Sequence, residues 1–177
     1  VLPVPGLLQM TDTSCLSGRP NPPELVDPGV AADVILLVAA RPISASGVLA
    51  RAAGCLFDST YSRPLAGFIN FNPSSLRPGD NTELPSQLGT ALHEITHVLG
   101  FSSSRYANFW DVENGTTLAG AEQVETVSPS APGVPARTIR KLVTPTVRAY
   151  VQQHFGCASL DGAELENQGG SGTARSH

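Results

Sequence analysis

The chain has 177 residues, enough for one domain of ordinary size with a real core. Hydrophobic residues make up 41% and charged residues only 15%, against a usual charged share of about 25%, which excludes an intrinsically disordered acidic or basic chain. The net charge of −4 argues against a general nucleic-acid binder, and the longest apolar run, seven residues from Val34 to Ala40, is far short of the about 20 that a membrane-spanning helix needs.

Residues 1–30 carry six prolines and read as an extended, irregular arm. The chain opens without Met and without the apolar core of a leader, as expected of a mature form or a fragment. Asp33 to Ala40 is a continuous apolar run rich in β-branched residues, predicting a strand buried on both faces. Gly47 to Cys55 fits either a strand or a short helix. Gly67-Phe68-Ile69-Asn70-Phe71 alternates and stops before Pro73, predicting an edge strand.

Ser86 stands where an N-cap belongs, and Leu88, Leu92, Ile95 and Leu99 follow on one helical face. Gly100 marks a left-handed stop, so the spacing predicts a helix from Ser86 to Leu99. Residues 101–144 read as mostly irregular. Thr144-Pro145 opens a second helix with Val147, Tyr150, Val151 and Phe155 on its apolar face and Gly156 at its end. The tail from Asp161 to His177 is polar and glycine-rich. Three cysteines, Cys15, Cys55 and Cys157, allow one bridge with an orphan or three free thiols. Asn114-Gly115-Thr116 is an N-glycosylation sequon in a polar stretch.

The chemistry lies in His93-Glu94-Ile95-Thr96-His97. Two histidines four residues apart on a helix share a face, so both imidazoles reach one metal ion, and imidazole nitrogen suits Zn²⁺. Glu94 then projects beside the metal as general base for the zinc-bound water, and afterwards as proton donor to the leaving amine. In a chain of this composition the pattern is expected by chance only ~0.004 times. The competing bland reading is a pair of surface histidines on an amphipathic helix. A purely structural zinc site is disfavoured, because no C-x-x-C occurs.

A catalytic zinc needs a third ligand. The commonest continuation, G-x-x-H after the second histidine, begins at Gly100 but meets Ser103 where the third His belongs. His154 and His177 are the remaining histidines; His154, on the second helix beside Phe155, reads more simply as an ordinary helix histidine. Glu113, Glu122 and Glu125 are the carboxylate candidates, although such ligands normally stand on a helix and this stretch does not read as one.

The run Ala91-Leu92-His93-Glu94-Ile95-Thr96-His97-Val98-Leu99-Gly100-Phe101-Ser102 resembles the active-site helix of the leishmanolysin (major surface protease) family of metzincins. His154-Phe155-Gly156-Cys157, then Glu164 to Gly172, then His177, is similar to the segment that leads to that family's distant third histidine, closest to the invadolysin-like members. Gly47 to Cys55 and Gly67 to Asn70 are similar as well, so the resemblance covers about residues 30–177.

The resemblance implies an α+β fold: a metzincin-like lobe over 31–177 with a twisted mixed sheet, a backing helix, the zinc helix and a long insertion over 101–176. It favours a strand for Gly47 to Cys55. It implies one zinc ion on His93, His97 and His177, with Glu94 as the catalytic residue, and hence a zinc endopeptidase. Gly67, Phe68 and Ile69 would form the edge to which an extended polypeptide substrate adds as a strand. The family's methionine turn and disulfide-stapled C-terminal part are not matched, the sole Met being Met10. The chain therefore reads as the N-terminal part of a larger enzyme. Cys15–Cys55 then reads as a bridge, with Cys157 paired in the absent part or left as a buried thiol.

The expected location is extracellular or cell-surface, with membrane contact only through an anchor outside this sequence. Two other classes stay open: a non-catalytic, protease-like module in an extracellular adhesive or filament assembly, and a carboxylate-liganded metallopeptidase using Glu113 or Glu122.

Overall fold

The computed structural model describes residues 6–11, 15, 20–77, 79–127 and 136–165. The fold is mixed α+β, and the chain divides into two compact units, Val1–Gly100 and Phe101–His177.

The first unit holds helix α1 (Pro23–Val26), strands β1 (Ile35–Ala40), β2 (Ala50–Phe57) and β3 (Pro64–Phe71), and helix α2 (Leu84–Val98). The strands form a mixed sheet in the order β1-β3-β2, with β1 parallel and β2 antiparallel to β3. Gly47 to Cys55 thus resolves as strand. The register puts Ile35, Leu37, Ala66 and Phe68 on one face. The N-terminal arm covers that face: Leu8, Met10, Cys15 and Leu25 form a core with Ile35 and Ala66. Cys15 and Cys55 are joined as a disulfide.

Helix α2 packs on the opposite face, against β2 and β3. Gly54 and Gly67 are cross-strand partners there. A Cβ on Gly67 would overlap the Val98 side chain and stand 2.7 Å from the Ala53 carbonyl oxygen, so only glycine lets the helix come this close.

Four expectations are corrected here. Gly67–Phe71 is not an edge: β3 is the central strand, its main-chain groups shared between β1 and β2. β1 is buried on one face only, because α2 lies over β2 and β3; Leu36 and Val38, on the helix side of β1, are exposed, Val38 by 63%. The helix begins at Leu84 after Glu83, with Pro85 in its first turn, so Ser86 is not the N-cap. Its leucine row also turns outward: Leu88 and Leu92 are each 56% exposed, and the buried positions are Glu94 and Val98. The other α-helix described in this unit, α1, is four residues long, and its Leu25 joins the core on the face away from α2.

In the second unit, the stretch expected to be irregular contains β4 (Trp110–Asp111), β5 (Thr116–Thr117), β6 (Glu122–Val127) and β7 (Arg137–Leu142). Helix α3 (Pro145–Phe155) follows, then β8 (Ala163–Glu164), which pairs with β7. Tyr106, Leu142 and Leu165 form the core with Phe109 and Val147. Thr144 caps α3, its hydroxyl oxygen accepting from the Val147 amide at 3.3 Å, and Gly156 stops it at φ +62°. Of the apolar face expected on α3, Val151 is buried while Tyr150 and Phe155 are exposed. No described helix is long and apolar enough to cross a membrane.

Candidate active site

Helix α2 supplies three motif side chains from neighbouring turns. The His93 and His97 ring centroids lie 4.9 Å apart with the planes at 86°. Two imidazoles ligating one tetrahedral ion through nitrogens about 2.0–2.1 Å from it have centroids about 5 Å apart, a separation that this pair shares. The helix stops immediately after them. Gly100 turns at φ +104° and donates its amide to the His97 carbonyl at 3.1 Å, while the Leu99 amide reaches Ile95 O at 2.9 Å.

Glu94 is only 7% exposed. Burial pushes its carboxyl above the ordinary range, and the neighbouring His97 and His93 pull it partly back. It precedes Val98 by one turn on the same helix face. The Val98 side chain rests on Gly67, while Gly54 leaves room for the Phe57 ring and, beside it, the Val98 carbonyl. How closely this end of the helix approaches the sheet therefore depends on the missing side chain at Gly67. Sequence reading missed this seat, although glycine inside two apolar strands is a recognised sign of close backbone approach.

His177 lies outside the described residues. Among the described residues no group of three or more His, Cys, Asp or Glu side chains is placed to hold a metal ion. His154 stacks on Tyr150 (centroids 5.7 Å apart, planes at 12°) and meets Phe155 edge-on. Of the carboxylate candidates, Glu122 pairs with Arg140 at 2.8 Å and Glu125 with Lys141. Both stand on β6, and Glu113 is exposed in the β4–β5 turn.

Gly67, Phe68 and Ile69 have strand partners on both sides, Leu36 to Val38 and Ala52 to Gly54. A substrate cannot add to them as a strand. Asn114 is exposed in its turn, its amide donating to Asp111 at 2.7 Å. Cys157 is a free, partly exposed thiol, 3.2 Å from the Ser159 hydroxyl.

The sequence model of the leishmanolysin peptidases matches residues 5–177. A leishmanolysin-like peptidase of Caenorhabditis elegans is 36% identical over 152 residues, covering 73% of this chain and 23% of its own length. One from Drosophila melanogaster is 35% identical over 172 residues, covering 82% and 25%. The ciliated left-right organizer metallopeptidase of Xenopus laevis is 35% identical over 133 residues, covering 73% and 17%. The chain thus spans about a quarter or less of the length of these curated relatives. A match over nearly the whole of these residues identifies the chain as a member of the leishmanolysin family of peptidases.

Proposed function

We propose that the protein to which this chain belongs is a zinc-dependent endopeptidase of extended polypeptides, with His93, His97 and His177 as the metal ligands and Glu94 as the catalytic residue. The observation that carries the reading is the juxtaposition of two imidazoles at 4.9 Å with a buried carboxyl between them in the helix. Bound zinc supplies Lewis-acid polarisation of the scissile carbonyl and acidification of the attacking water. Glu94 takes the proton released as the water oxygen bonds to the carbonyl carbon. It delivers a proton to the amide nitrogen as the C–N bond breaks. Its raised affinity for a proton, a consequence of burial, suits both halves of this task.

Substrate seating passes from β3 to β2. β2 closes the sheet on the side where α2 packs, and its outer edge offers main-chain groups for an added strand. An extracellular or cell-surface setting is supported by the Cys15–Cys55 bridge, which persists in oxidising compartments. The exposed Asn114 sequon is a glycosylation site in that setting.

The test is made on the full-length protein. Glu94→Ala should lower peptide hydrolysis by at least about 10²-fold while elemental analysis still finds one zinc per chain. His177→Ala should lose zinc and His154→Ala should keep it. Full activity in Glu94→Ala overturns the catalytic role, and zinc loss confined to His154→Ala reassigns the third ligand.

A further inference from the structure

On the face of the β1-β3-β2 sheet turned away from α2 lies a cleft of about 380 Å³. Leu37 and Phe68, paired across β1 and β3, line it together with Ile43. Two guanidinium side chains, Arg41 and Arg51, line it as well. Arg51 stands opposite Asn70 in the β2–β3 register, and Arg41 follows the end of β1. The loop from Arg41 to Leu49 is tied to the end of β3 at both ends. Asn70 donates its amide to Arg41 O at 3.1 Å, and Asn72 donates its own to Val48 O at 3.1 Å. These hydrogen bonds fix one wall of the cleft to the end of a strand, and Cys15 of the N-terminal arm lines it as well.

Among the described residues no carboxylate pairs with Arg41 or Arg51. Asn70 Oδ1 is buried at the base without a hydrogen-bond partner, which a donor group there would relieve. Planar guanidinium groups take carboxylates in two-pronged fashion. Apolar side chains beside them suit an aliphatic neighbour, and 380 Å³ matches a segment of a few residues rather than a folded surface.

We propose that this cleft is a docking site for an acidic peptide segment with alternating carboxylate and aliphatic side chains, held by Arg41 and Arg51. The site is separate from the His93–His97 pair, across the sheet from α2, and stands whether or not the protein is a peptidase.

The experiment uses full-length protein carrying Glu94→Gln and a fluorescently labelled peptide of alternating glutamate and leucine, read by fluorescence anisotropy. The peptide should bind, and its glutamine-for-glutamate counterpart should bind at least about tenfold more weakly. Affinity should fall with added salt. Arg41→Gln/Arg51→Gln should abolish the preference, and Arg41→Glu/Arg51→Glu should reverse it toward a lysine-leucine peptide. Circular dichroism of each variant should match the parent. Equal binding of acidic and neutral peptides overturns the proposal, as does displacement by inorganic phosphate at concentrations matching the peptide, which would leave a simple oxyanion site. Absence of binding to the full-length protein overturns it too, since the cleft would then be covered by the protein's own chain.

Discussion

Lys141 shows how much a single side chain can hold in the second unit. Its ammonium donates to Glu125 and to both carboxylate oxygens of Asp161, at 2.7 and 2.9 Å. The Lys141 hydrogen bond holds the Asp161 carboxyl below the usual carboxylate range, and Asp161, then Glu125, raises Lys141. A depressed carboxylate contributes stability above its unfolded value, about 3.9, and loses it as pH falls through the folded value. Raised Lys141 contributes below about 10.5 and loses it as pH climbs past its folded value. Stability from this cluster is therefore level through neutrality and declines at both extremes. Asp161→Asn should flatten the acid limb of a denaturant-midpoint profile below about pH 4; an unchanged limb would dismiss the pair. The effect should be small, since Asp161 is largely exposed. None of this was legible in the sequence, because it depends on the β6–β7 register, with Gln123 opposite Lys141 and Glu125 two residues along. His93, Glu94 and His97 were legible, because helical periodicity alone brings residues four apart together. His177 has no such local rule to place it.

At the scale of elements, the 3.6-residue period located α2 correctly but named the wrong face as its core face. The leucine row is the bulkier one, yet Glu94 and Val98 are the buried positions, and Val98 meets the sheet at Gly67, where no strand side chain stands in its way. Gly67→Ala should therefore destabilise the protein by about 1–3 kcal/mol through overpacking. Val98→Ala added to it should recover part of that loss in guanidinium unfolding. Additive losses in the double variant would show that the two positions do not compete for the same space. The strands of 101–144 escaped sequence reading for another reason. β6 and β7, Glu-Gln-Val-Glu-Thr-Val and Arg-Thr-Ile-Arg-Lys-Leu, are joined by cross-strand charge pairs rather than by alternating apolar residues. α3 was readable from both ends, since Thr144-Pro145 and Gly156 are local signals with local causes.

For the whole molecule, the mixed α+β class came from the family resemblance and not from composition, and the strand order was beyond both: β3 becomes central only because β1 and β2 both pair with it. Leu36, Val38, Leu88 and Leu92 are exposed at this scale, and the chain spans about a quarter of the length of the relatives it matches. The Cys15–Cys55 bridge spans 40 residues of sequence and pins the arm to the sheet. By the chain-entropy account it contributes up to about 4 kcal/mol. Cys15→Ser/Cys55→Ser should lower the urea midpoint accordingly, and no change would mean that the arm's apolar contacts suffice. A different consequence follows from the bare Gly67 beneath Val98. Where a helix rests on strand main chain there is no strand side chain to repack, so the backbone of the histidine turn is anchored to the sheet. If the proposed metal site forms there, that backbone has little ordering entropy left to lose.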